Sequence, residues 1–192
     1  MAMLIAGLVL FLGVHSVRIF ADDWRNALIA KLGAGPWKGL YSLVSLAGFV
    51  LIVMGYGAAR ATPVDLWMPP RWTAHPTSLL TLIAFILLAA AYVKGNHIKA
   101  AIGHPMVAGV KIWAFAHLLS NGRLADVVLF GAFLVWAVLD FRSSRQRDKR
   151  SGTRYPAGSG ARTAITVVAG VVAWAVFAFV LHAMWIGVKP LG

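Results

Sequence analysis

Residues 103–122, GHPMVAGVKIWAFAHLLSNG, form the stretch on which the fold prediction rests. Pro105 stands where the first turn of a helix tolerates proline, and the Asn-Gly pair at 121–122 favours a left-handed helix end. The residues between these signals are mostly apolar, but they include Lys111 and His117. Because polar side chains at membrane depth are costly and usually face a protein interior, the stretch predicts a helix enclosed by other membrane helices.

The composition of the whole chain agrees with a membrane location. Of its 192 residues, 60% are hydrophobic and 12% are charged, whereas soluble domains carry about 25% charged residues. The chain has no cysteine, so disulfides, thiolate metal ligands and a cysteine nucleophile are excluded. We attribute the net charge of +12 to membrane topology and lipid headgroups, not to nucleic acid.

Six apolar segments are long enough to consider as membrane helices, which need about 20 residues. They cover residues 3–20, 37–59, 76–93, 105–120, 124–141 and 163–186. The prediction is therefore an all-α polytopic bundle of about six transmembrane helices, forming a single domain over residues 1–192. The fourth segment is the shortest and contains Lys111, which burial between other helices would explain.

The connections between these segments are brief. Residues 21–36 are predicted to be a mixed-charge loop, and residues 60–75, rich in proline and tryptophan, an interfacial loop. Residues 142–162 carry seven basic side chains and are predicted to be a solvated cytoplasmic loop.

The basic residues also predict the orientation of the bundle. The first, third and fifth loops with their helix ends hold thirteen lysines and arginines, and the opposite side holds four. The odd-numbered loops are therefore placed in the cytoplasm and both termini outside.

The chain has six histidines, of which His75 and His97 fall in loops. The other four lie in or beside apolar segments, where ionisable residues are candidates for function; they are His15, His104, His117 and His182. Each is a candidate metal or haem ligand, and the alternative is a hydrogen bond that holds two helices together.

Axial ligation of haem needs two imidazoles from opposite faces of the ring. His104 and His117 are thirteen residues apart on one helix, which separates them by roughly 20 Å and points them in nearly opposite directions. The partner of His117 must therefore come from another helix, and His15 and His182 are the choices. Counting depth along the segments places His117 nearer to His182.

Other polar residues accompany these histidines. Trp113 and Asn121 lie one turn before and after His117 on the same helix face. Arg18 lies one turn after His15 and is predicted to hold a haem propionate or a lipid phosphate. Its alternative role is that of a basic anchor for topology.

The motifs GHPM at 103–106 and AHLLSNG at 116–122, with the early His15-Ser16 pair and the closing LHAMWIG, resemble the NnrU family of bacterial membrane proteins over nearly the whole chain. The resemblance implies an inner-membrane protein linked to nitric-oxide and nitrite metabolism in denitrifying bacteria. The chain is more distantly similar to plant 15-cis-zeta-carotene isomerase, a haem b enzyme. Its two axial histidines correspond to His15 and His117, so the resemblance implies haem b on this pair.

One position departs from the plant enzyme. A cysteine three residues before its second histidine takes part in a ligand switch, and this chain has Ala114 there. The resemblance therefore does not extend to isomerisation by that route.

Three functions follow as hypotheses. The first is a haem b protein of nitric-oxide or nitrite metabolism, and the second a haem-dependent cis–trans isomerase of a carotenoid-like polyene. The third is a non-enzymatic membrane assembly factor. Membrane lipid and an apolar small molecule or diatomic gas are the expected partners, nucleic acid is not, and the oligomeric state stays open.

The orientation can be tested by labelling a cysteine at residue 159. In intact cells an impermeant thiol reagent should fail to label Ser159→Cys, because that residue lies in the basic loop placed in the cytoplasm. A cysteine in the loop between residues 60 and 75 should be labelled under the same conditions. Efficient labelling of Ser159→Cys would overturn the orientation.

Overall fold

The computed structural model describes residues 1–191 and is all-helical over that range, with no strand. Its helices are α1 (Ala2–Phe20), α2 (Asp22–Leu32), α3 (Ala34–Ala61), α4 (Ala74–Tyr92), α5 (His97–Ile102), α6 (Pro105–Ser120), α7 (Leu124–Ser151), α8 (Gly160–Val176) and α9 (His182–Ile186). A 3₁₀ turn at Arg71–Thr73 precedes α4, and a π-helical turn at Phe177–Leu181 joins α8 to α9.

The predicted fold class, a polytopic helix bundle, is confirmed. Five helical stretches are long and apolar enough to cross a membrane; they are Ala2–Phe20, Ala34–Ala61, Arg71–Tyr92, Leu124–Ser151 and Gly160–Ile186. The sixth, α6, is a shorter apolar helix of 16 residues that packs between α4 and α7. Pro105 stands in its first turn, as the sequence predicted.

The helices lie side by side in the order α3, α1, α7, α6, α4 and α8, each packed on the next. The long helices α1, α3, α4, α6, α7 and α8 run in alternating directions, so the bundle has two distinct ends. We call one the basic end; it holds α2, α5 and the chain around residues 142–162. The other, the cavity end, holds the amino terminus, the loop 62–70, the turn 121–123 and residues 187–191.

Glycines set the spacing between α1 and α3. A Cβ on Gly7 would lie 2.6 Å from the backbone nitrogen of Ile52, and one on Gly48 would lie 2.7 Å from that of Phe11. Between membrane helices, where no hydrophobic force holds apolar surfaces together, such small residues allow close backbone packing. The two helices therefore form a tight pair at one side of the bundle.

The loop predicted over 21–36 is wrong, since most of it forms α2 at the basic end. Asp22 and Asp23 occupy the first turn of α2 and Lys31 the last. That distribution complements the helix dipole, so the mixed charge stabilises a short helix where it had suggested a loop.

The loop predicted over 142–162 differs from the structure in the same way. Helix α7 continues through Ser151 and ends at Gly152, whose φ of +63° is the left-handed conformation typical of a helix end. Arginine and lysine are good helix formers, so the high charge solvates the helix without ending it.

The Asn-Gly pair at 121–122 does not adopt the left-handed conformation that the sequence suggested. Asn121 is extended, with φ −130° and ψ 120°. The carbonyl of Gly122 accepts hydrogen bonds from the backbone N–H groups of Leu66 and Trp67, at 2.8 and 3.2 Å. A Cβ on Gly122 would collide with the Trp67 carbonyl, so glycine is needed here for close approach and not for a positive φ.

The α1–α3 packing predicts that Gly48→Ala destabilises the protein. The added Cβ would overlap the backbone of α1, and overpacking of this kind typically costs about 1–3 kcal/mol. The measurement is thermal or denaturant unfolding in detergent.

Gly39→Ala is the matched control, because Gly39 is also in α3 and a Cβ there would meet nothing within 4 Å. It should leave stability unchanged or raise it slightly through helix propensity. Equal stability of the two variants would contradict the close-packing account.

Candidate functional site

A cavity of about 670 Å³ opens at the cavity end of the bundle, within the size range typical of small-molecule sites. Its wall comes from α3, α6, α7, the last helical stretch and the loop 62–70. The deep part is aromatic, with Phe49, Trp113, Phe130 and Phe133 among its residues. The polar residues at its side and mouth are Tyr56, Arg60, Asp65, His117, Ser120, Asn121, Arg123, Asp126 and His182.

His117 faces this cavity from the last turn of α6. Its Nδ1 donates a hydrogen bond to the Trp113 carbonyl at 2.8 Å, and its ring stacks on Phe130 with centroids 4.6 Å apart. Commitment of Nδ1 to a carbonyl fixes the tautomer that leaves the Nε2 lone pair free. The arrangement is the one that ligating histidines use, in which the second ring nitrogen is held by a backbone acceptor.

His182 lines the same cavity, from the start of α9. Its Nδ1 donates to the Val188 carbonyl at 2.7 Å, which again leaves the Nε2 lone pair free. The ring packs edge-on against Phe177, with centroids 5.9 Å apart. Thus two imidazoles from different helices line one cavity.

The π-helical turn explains how His182 comes to face inward. Phe177 and His182 are five residues apart and both line the cavity. In a regular α-helix two such residues would point about 140° apart. The wider π turn at Phe177–Leu181 brings both onto one side, and single π turns of this kind occur often at functional sites.

His15 lies outside the cavity, towards the basic end. Its ring stacks on Phe11 at 4.3 Å and stands 5.2 Å from Tyr41 and 6.0 Å from Trp136, measured between centroids. Its Nδ1 donates to the Phe11 carbonyl at 2.6 Å. His15 therefore has the same tautomer as the cavity histidines but a different, aromatic environment.

Aromatic rings stand between His15 and His117. Phe11 lies 5.9 Å from Phe133, and Phe133 lies 5.6 Å from Trp113, which in turn adjoins His117 at 5.2 Å. The structure therefore does not bring His15 and His117 onto one cavity, whereas it does bring His117 and His182 together.

The remaining predicted site residues divide between the two ends. Trp113 and Asn121 line the cavity with His117, and the Asn121 side chain donates to the His117 carbonyl at 2.8 Å. Arg18 lies at the basic end with its side chain 58% exposed, 3.9 Å from Asp22. It is not part of the cavity wall.

His104 is held in a polar cluster at the basic end. Its Nε2 lies 2.9 Å from the Asp148 carboxylate and 3.2 Å from the Tyr155 hydroxyl, which itself donates to Asp148 at 2.9 Å. Burial and the bond to Asp148 raise the pKa of the Tyr155 hydroxyl. The cluster fastens the loop after α7 to the start of α6, and it engages His104 Nε2 in hydrogen bonds.

Sequence reasoning missed the acidic part of the cavity wall. The Tyr56 hydroxyl donates to Asp126 Oδ1 at 2.6 Å, and the Arg123 backbone N–H donates to Oδ2 at 3.3 Å. Asp126 is only 4% exposed. Asp126 lies in the first turn of α7, where acidic residues are common, and its tyrosine partner lies 70 positions away, so no local pattern indicates the contact.

Comparison with known proteins places the chain in a family. The family model described as NnrU protein matches residues 3–190. No curated protein and no solved structure matches the chain. The family match spans the helices that build the cavity and both of its histidines, and the chain therefore belongs to the NnrU family.

Proposed function

We propose that this chain is a membrane haem b protein that holds the haem in the cavity between His117 and His182. The observation that carries the proposal is the pair of imidazoles that face one cavity from different helices, each with Nδ1 hydrogen-bonded to a backbone carbonyl. That donor set suits axial ligation through Nε2. The aromatic deep wall suits the apolar face of a porphyrin.

The geometry favours His182 over His15 as the partner of His117. The resemblance to the plant isomerase points to His15, but Phe11, Phe133 and Trp113 stand between the two residues. His182, in contrast, lines the same cavity as His117. This assignment also agrees with the depth count along the sequence.

A bound haem would supply electron transfer, or a site for a diatomic gas if one axial position opened. The chain's own residues orient the two imidazoles, exclude water with aromatic side chains and hold a proton on the Tyr56 hydroxyl beside Asp126. We connect this chemistry with nitric-oxide or nitrite metabolism through the family resemblance. On the same basis we place the chain in the bacterial inner membrane, with the basic end in the cytoplasm and the cavity end in the periplasm.

A second function, cis–trans isomerisation of a polyene, is favoured by the shape of the cavity. Helix α3 and the last helical stretch are not packed together along their lengths within residues 1–191, and the Arg60–Ile186 hydrogen bond spans their ends. An apolar cavity with an opening between helices would admit a lipid-soluble chain from the bilayer. Ala114, where the plant enzyme has its cysteine, is fully buried and outside the cavity lining.

The haem proposal predicts distinct effects for the four histidine variants. With haem b added to detergent-purified protein, His117→Ala should lose the haem or its low-spin spectrum. His182→Ala should convert a low-spin spectrum to a high-spin one, because one axial ligand is removed. Optical spectra of the oxidised and reduced protein are the measurement.

His15→Ala and His75→Ala are the controls, and both should keep the wild-type spectrum. Loss of the low-spin spectrum in His15→Ala with retention in His182→Ala would reverse the assignment of the second ligand. Absence of any Soret band in the wild-type protein would favour the assembly-factor function.

The isomerase function predicts turnover of a polyene. Haem-loaded protein in lipid nanodiscs should convert a cis-carotene to its all-trans isomer, measured by chromatography, and His117→Ala should abolish the conversion. No conversion by protein that shows the expected spectrum would remove this function and leave the haem proposal in place.

A further inference from the structure

We infer that Arg60 binds a carboxylate of the cavity's ligand, which under the proposed function is a haem propionate. This inference rests on the proposed function, and it assigns the carboxylate to the opposite end of the bundle from Arg18. It depends on the position of Arg60, its unused hydrogen-bond donors and the charges around it.

Arg60 stands at the mouth of the cavity, in the last turn of α3. It is half-buried, and its guanidinium carbon lies 5.8 Å from the centroid of the Tyr56 ring. The deep wall of the cavity is aromatic, whereas the mouth lies at the end of the membrane helices. A ligand with an apolar body and an anionic edge would match this gradient.

Within residues 1–191, most of the N–H donors of Arg60 have no hydrogen-bond partner. One terminal nitrogen donates to the Ile186 carbonyl at 2.7 Å, and a guanidinium has five N–H donors in total. Among residues 1–191 no carboxylate lies within 4.0 Å of it. A half-buried guanidinium without an acidic partner is prepared to receive a carboxylate, which it can hold through two parallel bonds.

The other charges at the mouth are already engaged. Arg123 pairs with Asp65 at 3.3 Å, and the two oxygens of Asp126 accept bonds from Tyr56 and from the Arg123 backbone. In the described part of the mouth, the two acidic side chains therefore already have hydrogen-bond donors as partners, whereas Arg60 has no acidic partner. This distribution singles out Arg60 as the group that a ligand carboxylate would meet.

Arg60 also connects the carboxylate to the histidine site. Its bond to Ile186 joins α3 to α9, the helix that begins with His182. A carboxylate held by Arg60 would therefore lie against the same segment that presents the second imidazole. Arg18, in contrast, lies at the basic end beside Asp22, so its distance from the cavity makes it a suitable control.

The test compares haem b with its dimethyl ester, in which both propionates are uncharged. Each is titrated into detergent-purified protein without haem, and binding is read from the Soret band. Arg60→Leu should weaken haem b binding about 10- to 100-fold, the scale of one charge-assisted hydrogen bond. It should leave binding of the ester unchanged, and Arg60→Lys should fall between wild type and Arg60→Leu for haem b.

Arg18→Leu is the matched control and should bind both compounds as the wild type does. Equal weakening of haem b and ester by Arg60→Leu would show that Arg60 only shapes the cavity, and no weakening of either would show that it has no part in binding. Both results overturn the inference but leave the proposed function standing if His117→Ala still loses the spectrum.

A fatty acid is the other source of such a carboxylate. The fluorescent polyene acid cis-parinaric acid tests this source in the same set of variants. One outcome is that the wild type binds this acid but not haem, and that Arg60→Leu weakens the binding whereas Arg18→Leu does not. In that case the carboxylate role of Arg60 stands and the proposed function fails. If the wild type binds neither compound, both fail.

Discussion

The site depends on one half-buried hydrogen bond, between the Tyr56 hydroxyl of α3 and the carboxylate of Asp126 of α7. A carboxylate that is 4% exposed at the end of a membrane bundle is costly unless donors satisfy it. The Tyr56 hydroxyl and the Arg123 backbone N–H are the donors, and the bond from Tyr56 joins two different helices. The bond therefore holds α3 against α7 where these two helices form the wall of the cavity.

The rest of the site is arranged around that wall. Gly7 and Gly48 bring α3 close to α1, and α1 packs on α7. On the other side of the cavity α6 presents His117, and the π-helical turn of the last stretch rotates His182 inward. The two imidazoles thus come from the fourth and sixth membrane segments of the chain. They are brought together by packing of the whole bundle and not by any local motif.

The sequence predicted the bundle well because membrane helices are long apolar runs. Helix α6 begins at Pro105 and ends at Ser120, one residue before the Asn-Gly pair. The sequence did less well at the basic end, where charge density suggested loops in place of α2 and the end of α7. Arginine and lysine favour helices while they keep the chain in water, so composition alone does not separate the two. Gly122 shows the same limit. The sequence indicates a glycine at the end of the helix, but glycine is required there by the close approach of the Trp67 backbone, which no local pattern predicts.

The site was predictable in part. His117, Trp113 and Asn121 follow from spacing on one helix, and the depth count already placed His182 near His117. The Tyr56–Asp126 bond joins residues 70 positions apart, and no local pattern announces such a contact. Arg60 is one of the four basic residues on the side opposite the cytoplasmic loops, and the sequence indicates no more than that, because its lack of an acidic partner within residues 1–191 depends on which residues the fold brings to the mouth.

The central claim is that haem iron lies between His117 and His182 at the cavity end, and the position of the iron tests it most directly. An anomalous-difference map collected at the iron absorption edge, from crystals of haem-loaded protein, locates the metal independently of ligand modelling. The account predicts one peak within bonding distance of Nε2 of both His117 and His182. A peak beside His15, or one bonded to His117 but not to His182, would contradict it.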